Sequence, residues 1–257
     1  MKLEFLGTGA ADWHIDRRQD GEFFRRFSST LVDGDLLIDP GPHIFDYAKM
    51  EGKPGLFDNV KYILITHSHG DHLNDANAQK IHAMTGALMY GHKTVDYRMR
   101  EAGMPEILVP LTEREEYQLG EYTVIPYAAN HLTPNPEGEV AYNYIIKKGD
   151  KSFFYGCDCG WIMAYAWEGM KKYKVDAIVF ELTVGDVRGT DHIFYHTSIP
   201  MLECMLYSFR GMKVVGEDTK LYATHLARTL HASHEETVKR LEPLGVLPMY
   251  DGAIVEV

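Results

Sequence analysis

The sequence predicts an α/β (α+β) fold in which sheets pack on each other with helices outside. Apolar runs such as Tyr62 to Ile65 and Ala177 to Phe180 are strand-length and bounded by turn residues. Segments with apolar residues at helical spacing separate these runs into groups, and the second half of the chain mirrors the first. No linker, low-complexity tract or internal sequence repeat divides the chain, so residues 1–257 are expected to form one domain.

Leu3 to Leu6 opens the chain as a strand, and Ser29 to Val32 and Leu36 to Ile38 make a pair joined by Asp33-Gly34. Val60 to Ile65 completes a strand meander. Asp75 to Met84 has good helix formers with apolar positions at helical spacing, and Val95 to Ala102 reads as another short helix. Strands resume at Tyr122 to Tyr127, Val140 to Ile146 and Ser152 to Tyr155, with Pro134 and Pro136 marking a turn-rich loop. Trp161 to Lys172 is helix-like and leads into the strong strand Val175 to Phe180. Ser198 to Phe209 and His234 to Leu241 read as helices, Leu221 to Ala223 and Gly252 to Val257 as strands.

Hydrophobic residues at 45% and charged residues at 25% exclude disordered and fibrous classes, and no apolar run approaches the roughly 20 residues of a membrane span. The formal charge of −11 repels nucleic acid in bulk and favours small substrates. Arg17, Arg18, Arg25 and Arg26 form the one basic cluster, which is either a local anion patch or a solvated loop. Three cysteines, Cys157, Cys159 and Cys204, cannot pair completely, and the N-terminus lacks a secretory apolar stretch, so a reducing, cytoplasmic location is expected.

The strongest chemical signal is Thr66-His67-Ser68-His69-Gly70-Asp71-His72, directly after an apolar strand. Imidazole nitrogen and carboxylate oxygen are ligands for zinc-like cations, and a loop at a strand end holds several of them rigidly inward. Gly70 permits the tight backbone. The motif resembles the HxHxDH signature of the metallo-beta-lactamase superfamily, whose fold is a four-layer αββα sandwich. That resemblance asks for a later His, an Asp in a glycine-flanked turn and a last His near the C-terminus. His131, Asp158 in Tyr155-Gly156-Cys157-Asp158-Cys159-Gly160, and His225 in Tyr222-Ala223-Thr224-His225-Leu226 occur in that order.

The resemblance implies two divalent cations, Zn2+ first with Mn2+ or Fe2+ as alternatives. His67, His69 and His131 would hold one and Asp71, His72 and His225 the other, with Asp158 bridging. Asp39 in Leu36 to Gly41 resembles the superfamily's acidic residue beneath the metals, although a turn cap explains it too. Cys157 and Cys159 depart from the small or hydroxyl residues of relatives and are either packing residues or a thiolate ligand. The insertion Asp12 to Phe27 is a second departure and could cover the site.

Leu6-Gly7-Thr8-Gly9-Ala10, Arg25-Arg26-Phe27-Ser28-Ser29 and Glu181 with His196-Thr197-Ser198 resemble the phosphodiesterase branch, which includes tRNA 3′-processing nucleases and phosphoribosyl cyclic phosphodiesterases. The branch implies phosphodiester hydrolysis by a metal-bridging hydroxide, with Asp71 orienting the nucleophile and His196 protonating the leaving oxygen; His192 is the rival acid. The glycines of LGTGA would let backbone approach a phosphate, and Arg25 or Arg26 would pair with a phosphate or with Glu22. His14, His43, His82, His92, His231 and His234 are left out of the site, although His231 and His234 follow His225 closely enough to stand behind it.

A small cyclic or nucleotide-derived phosphodiester is favoured over tRNA, because residues 131–158 leave no room for a tRNA-gripping arm. The rival readings are carboxyl-ester, lactone or thioester hydrolysis at the same metals and a non-catalytic metal-binding subunit. An iron oxidoreductase is disfavoured by His69, which di-iron relatives replace with Glu. No membrane partner is expected, and a homodimer follows from the resemblance alone.

Overall fold

Two sheets of seven strands face each other in the computed structural model, which describes residues 1–19 and 23–257. The first sheet holds β1 (Lys2–Gly7), β2 (Ser29–Val32), β3 (Leu36–Ile38), β4 (Tyr62–Leu64), β5 (Leu88–Gly91) and β6 (Leu108–Pro110). The second holds β7 (Tyr117–Leu119), β8 (Tyr122–Ala128), β9 (Tyr142–Lys148), β10 (Lys151–Gly156), β11 (Ala177–Glu181), β12 (Lys220–Thr224) and β13 (Val246–Pro248). The last strand, β14 (Ile254–Glu256), returns to pair antiparallel with β1. Both sheets run from antiparallel pairs into parallel ones, β3 through β6 in the first and β10 through β13 in the second. The halves therefore share a topology, as the repeated order of elements predicts.

Strand alternation sends successive side chains to opposite faces, and this divides the core into layers. Leu3, Phe5, Val32, Ile38, Val124, Tyr144, Phe153, Tyr155 and Val179 meet between the sheets. On the outer face of the first sheet Leu31, Leu37, Ile63 and Met89 pack on α1 (Ile44–Met50), α2 (Asp75–Thr85) and α3 (Tyr97–Glu101). On the outer face of the second, Ile125, Ile145, Phe154 and Ile178 pack on α4 (Ala164–Tyr173), α5 (Ile199–Gly211) and α6 (His234–Leu241). The result is the αββα sandwich. Every residue of β11 is buried, as a parallel strand covered on both faces must be.

Helix ends follow their local chemistry. The side chains of Asn74, Ser198 and Ser233 accept backbone hydrogen bonds at the starts of α2, α5 and α6, and Gly86 closes α2 in the left-handed conformation. The expected helix over Val95 to Ala102 shortens to α3, and Trp161 to Met163 precedes α4 as loop. Helix α1 and strands β5, β6, β7 and β13 have no counterpart in the sequence reading. Apart from α1 they are three or four residues long, too short to show a period, and are defined by pairing with a neighbouring strand, β5 between β4 and β6 and the others at sheet edges.

Gly169 on α4 lies against the Tyr127 ring so closely that an added Cβ would overlap ring carbon and hydroxyl oxygen. Gly169→Ala is expected to destabilise the protein by roughly 1–3 kcal/mol, with part of the loss recovered in the Gly169→Ala, Tyr127→Ala pair. Urea midpoints decide this: an unshifted midpoint for the single variant contradicts the close contact.

Candidate metal centre

The predicted ligands leave the chain at strand C-terminal ends, where open α/β sheets place their sites. His67, His69, Asp71 and His72 follow β4, His131 follows β8, Asp158 follows β10 and His225 follows β12. All seven converge at one end of the sandwich, with His67 and His72 fully buried. Asp158, His225 and Asp39 take φ values of 47°, 54° and 57°, left-handed backbone that non-glycine residues seldom adopt. Strain of this kind gathers where a side chain must be aimed against local preference.

Asp158 divides its oxygens between two groups. Oδ2 lies 3.5 Å from Nε2 of both His67 and His131, whose Nε2 atoms in turn approach His69 Nδ1 at 2.9 and 3.1 Å. Oδ1 lies 3.2 Å from His72 Nε2 and 3.1 Å from His225 Nε2, which are 3.2 Å apart and 3.5 and 3.4 Å from Asp71 Oδ2. Donor atoms about 3.3 Å apart are what tetrahedral ligation at zinc–nitrogen lengths of about 2.0–2.1 Å produces.

Proton positions follow from the partners on the far side of each ring. His131 Nδ1 faces the Tyr195 carbonyl at 3.0 Å, which can only accept. His72 Nδ1 faces Asp39 Oδ2 at 2.8 Å. The Thr66 hydroxyl gives its hydrogen to Asp39 Oδ2 at 2.8 Å and therefore accepts from His67 Nδ1 at 3.0 Å. Likewise the Thr183 hydroxyl gives its hydrogen to Glu181 Oε2 at 2.6 Å and accepts from His225 Nδ1 at 2.7 Å. Each neutral ring then carries its hydrogen on Nδ1 and presents a bare Nε2 inward. Four lone pairs aimed at one another around a carboxylate repel unless a cation lies among them, so the residues fit a metal pair.

The electrostatics agree. Burial raises the Asp158 carboxyl, but His225, His72 and His131 overcome it and hold it well below the usual carboxylate range; Asp71 behaves likewise beside His72 and His225. Burial lowers His67 well below its ordinary value and His69 to about 4, which keeps both rings neutral and able to ligate. Burial also opposes charge on His72, yet Asp158 and Asp71 push it well above the usual value. The carboxylates demand positive charge at that point, and a divalent cation meets the demand in place of a proton.

A second buried carboxylate, Glu181 at the end of β11, gathers the other side of the site. Oε1 accepts from Cys159 N, Thr197 N and His196 Nδ1 at 3.2, 2.7 and 3.2 Å, and Oε2 from Thr183 N at 2.8 Å. Burial lowers the His196 ring's pKa, but Glu181 outweighs it and the ring is pushed up to about 9. A cavity of about 320 Å³ opens over His69, Asp71, Asp158, His196 and His225. His192 also lines it, exposed and bonded through Nδ1 to Thr190 Oγ1 at 2.9 Å. Its carboxylate neighbour is the exposed Asp191, with Oδ1 3.3 Å from Nδ1, where His196 has the buried Glu181.

Other sequence expectations find different roles. Gly7 lies under the Phe27 and Arg26 carbonyls and Gly9 under the Trp13 and Arg25 side chains, so chain crossings, not a phosphate, require these glycines. Arg25 and Arg26 are buried, which corrects the solvated-loop reading. Arg26 binds Asp46 at 2.7 Å and Asp251 at 3.3 Å; Arg25 donates to Thr8 Oγ1 and the Met249 carbonyl at 2.7 and 2.5 Å. Glu22 lies outside the described residues. Arg17 and Arg18 are exposed. His231 donates to the Leu182 carbonyl, and His234 stacks on Phe23 and meets Arg25. Cys157 and Cys159 are buried and held protonated by burial, Cys159 at about 12; Cys157 packs between the sheets beside Asp39 and His72.

The first residue of the insertion and the two before it wall the cavity. Ala10, Ala11 and Asp12 line it, and Asp12 accepts from Arg228 N and Thr229 N at 2.8 and 2.9 Å, clamping the loop after His225. Trp13 Nε1 donates to the Leu226 carbonyl at 2.7 Å. Sequence reasoning also passed over Thr183 and Glu139, whose carboxylate accepts from Ser68 N at 2.7 Å between two ligands. Thr183 stands just past the end of β11, which is its only sequence signal, and Glu139 in the loop between β8 and β9 has none.

These features define a metallo-beta-lactamase fold with a His/Asp cluster suited to metal. The chain belongs to the family described as the beta-lactamase superfamily domain, which matches residues 35–246. Among solved structures it is similar to Zn(2+)-bound PqqB from Methylobacterium extorquens, at 15% identity and TM-score 0.73 over 100% of both chains. It is also similar to the short form of human tRNase Z, at 15% identity and TM-score 0.69, covering 100% of this chain and 99% of that one. Yeast PDE1 is a third, at 12% identity and TM-score 0.66, with 100% and 99% covered. The search of curated proteins found no match.

Asp39 accepts from Thr66 N, Thr66 Oγ1 and His72 Nδ1, each at 2.8 Å, so one residue fixes the tautomers of two predicted ligands. Asp39→Asn retains the shape and tolerates the left-handed backbone but loses the ionised acceptor. Its affinity for zinc is expected to fall by roughly 10–100-fold. Competition titration with a chromogenic chelator measures this, and wild-type affinity in a folded variant contradicts the assignment.

Proposed function

We propose that the chain is a dinuclear metal-dependent hydrolase of small phosphodiesters, with His67, His69 and His131 holding one divalent cation, Asp71, His72 and His225 the other, and Asp158 shared. The reading is carried by the inward set of bare imidazole nitrogens divided between the two oxygens of Asp158. Zinc is favoured by the nitrogen and oxygen donor set and by the zinc-bound relative PqqB. When bound, the cations would supply Lewis-acid charge for the phosphoryl oxygens and lower the pKa of a nucleophilic water towards 7.

The chain's own groups supply the rest. Asp71 Oδ2 lies at the cavity wall, where it can orient a nucleophile or accept its proton. Glu181 occupies His196 Nδ1, which leaves Nε2 as the nitrogen that can pass a proton to a departing alkoxide. A separate acid is what cleavage of a phosphodiester with a poor leaving group requires, and carbon-centred hydrolysis of an activated ester does not. That difference favours the phosphodiester over the carboxyl-ester, lactone or thioester alternative. The cavity of about 320 Å³ sits at the low end of ligand sites, which supports a small cyclic or nucleotide-derived substrate over a folded RNA.

Metal-reconstituted protein is expected to hydrolyse phosphodiesters in preference to lactones and thioesters and to lose that activity on chelation. His196→Ala is expected to slow an alkyl phosphodiester by about 10²–10⁴-fold and an activated aryl phosphodiester far less. Equal losses on both esters, at wild-type metal content, remove His196 as the acid. Lactone or thioester turnover without phosphodiester turnover removes the phosphodiester reading altogether.

A further inference from the structure

Large apolar side chains stand in water on the loops that carry the predicted ligands and His196. Leu132 is 75% exposed, Phe194 71% and Trp161 44%. Leu132 directly follows the predicted ligand His131, Trp161 stands three residues after Asp158, and Phe194 precedes His196 by two. They come from different loops, and those loops are fastened together. Gly160 N donates to the Asn130 carbonyl at 3.0 Å, and His131 Nδ1 to the Tyr195 carbonyl at 3.0 Å. Thr197 Oγ1 donates to the carbonyl oxygens of Cys159 and Gly160 at 2.7 and 2.9 Å. A Cβ on Gly160 would stand 3.1 Å from Asn130 Nδ2 and 3.3 Å from the Phe194 carbonyl carbon, so the three loops touch. The short helical turn Asp191–Phe194 joins the two regions, with His192 lining the cavity and Phe194 exposed at its other end.

We infer that Leu132, Trp161 and Phe194 form an apolar subsite at the cavity mouth that receives an aryl ring or nucleobase carried by the substrate. The cavity itself offers little for such a group. Its wall away from the cluster is Ala10, Ala11, Asp12, Ala227, Thr229 and Leu230, in which Leu230 is the one large apolar side chain, and the volume is about 320 Å³. A substituent larger than the reacting phosphate must lie over the rim, where the joined loops that bear Leu132, Trp161 and Phe194 would offer it aromatic and aliphatic surface. Exposed apolar surface of this kind marks binding sites, and an aromatic ring buries a large area while making oriented contacts with Phe and Trp. The inference rests on the small-phosphodiester reading for the group to which the ring is attached.

The test compares two diesters that release the same nitrophenolate, bis(p-nitrophenyl) phosphate and methyl p-nitrophenyl phosphate, on metal-loaded wild-type protein and on Phe194→Ala and Leu132→Ala. The wild-type preference for the diaryl ester, taken as the ratio of KM values, is expected to fall about tenfold in Phe194→Ala, the loss of roughly one ring contact. An unaltered ratio overturns the subsite. A binding measurement stands apart from turnover: phenyl phosphate is expected to quench Trp161 emission, isolated by subtracting Trp161→Phe, and methyl phosphate is not. If neither diester is hydrolysed, the phosphodiester reading fails while the quench still decides the subsite. A wild-type dimer that Phe194→Ala converts to monomer, with no selective quench, assigns the surface to a second copy and overturns the proposal.

Discussion

Two buried carboxylates that touch no cation themselves govern the site. Asp39 and Glu181 fix, directly or through one threonine hydroxyl, the outward nitrogens of His72, His67, His225 and His196. A buried carboxylate without donors costs several kcal/mol of desolvation, so each must be surrounded. Asp39 takes Thr66 N, Thr66 Oγ1 and His72; Glu181 takes Cys159 N, Thr197 N, Thr183 N, Thr183 Oγ1 and His196. Meeting that requirement joins loops from neighbouring strands, so satisfaction of the carboxylates and aiming of the histidines are one event.

The sheet register makes this possible. The parallel pairing of β10, β11 and β12 brings Gly156 opposite Phe180 and Glu181 opposite Thr224. Asp158, Glu181 and His225 therefore emerge on adjacent strand ends. In the other sheet β3 and β4 pair Ile38 with Leu64, and Asp39 and Thr66 emerge together. Left-handed backbone at Asp39, Asp158 and His225, costing about 1–3 kcal/mol at each position, persists because the hydrogen bonds beyond each residue over-determine it.

Legibility in the sequence followed distance along the chain. Four of the predicted ligands stand within residues 67–72, and a strand before them gives their direction, so they could be read as a unit. His131, Asp158 and His225 became legible only through the order of motifs in a resemblance. Trp13 and Asp12 were not legible as clamps, because their partners Leu226, Arg228 and Thr229 lie more than 200 positions away. The glycines of LGTGA misled for the same reason: Gly7 accommodates Phe27 and Gly9 accommodates Trp13, contacts that no local pattern announces. Arg25 and Arg26 looked like surface charge, yet Asp251 and Met249, near the other end of the chain, draw them inward.

The N-terminal segment sets the size of the cavity while the strand ends set its chemistry. Ala10 N donates to the Leu226 carbonyl at 3.2 Å and Leu226 N to the Thr8 carbonyl at 3.0 Å, a parallel bridge that pairs Gly9 with Leu226 and lays the segment beside the loop that carries His225. Trp13 and Asp12 then hold that loop from two sides. A segment bonded this closely to a ligand-bearing loop cannot swing aside without releasing Leu226, and with it the backbone next to His225. Enlarging the site for a bulky polymer at this wall would disturb the predicted metal ligand itself. The proposed rim at Leu132, Trp161 and Phe194 would bear no such constraint, since these exposed side chains are not among the hydrogen-bond partners of Glu181 or Asp39. On the proposed reading, variation in substrate would therefore be cheapest at the rim and most costly at the wall.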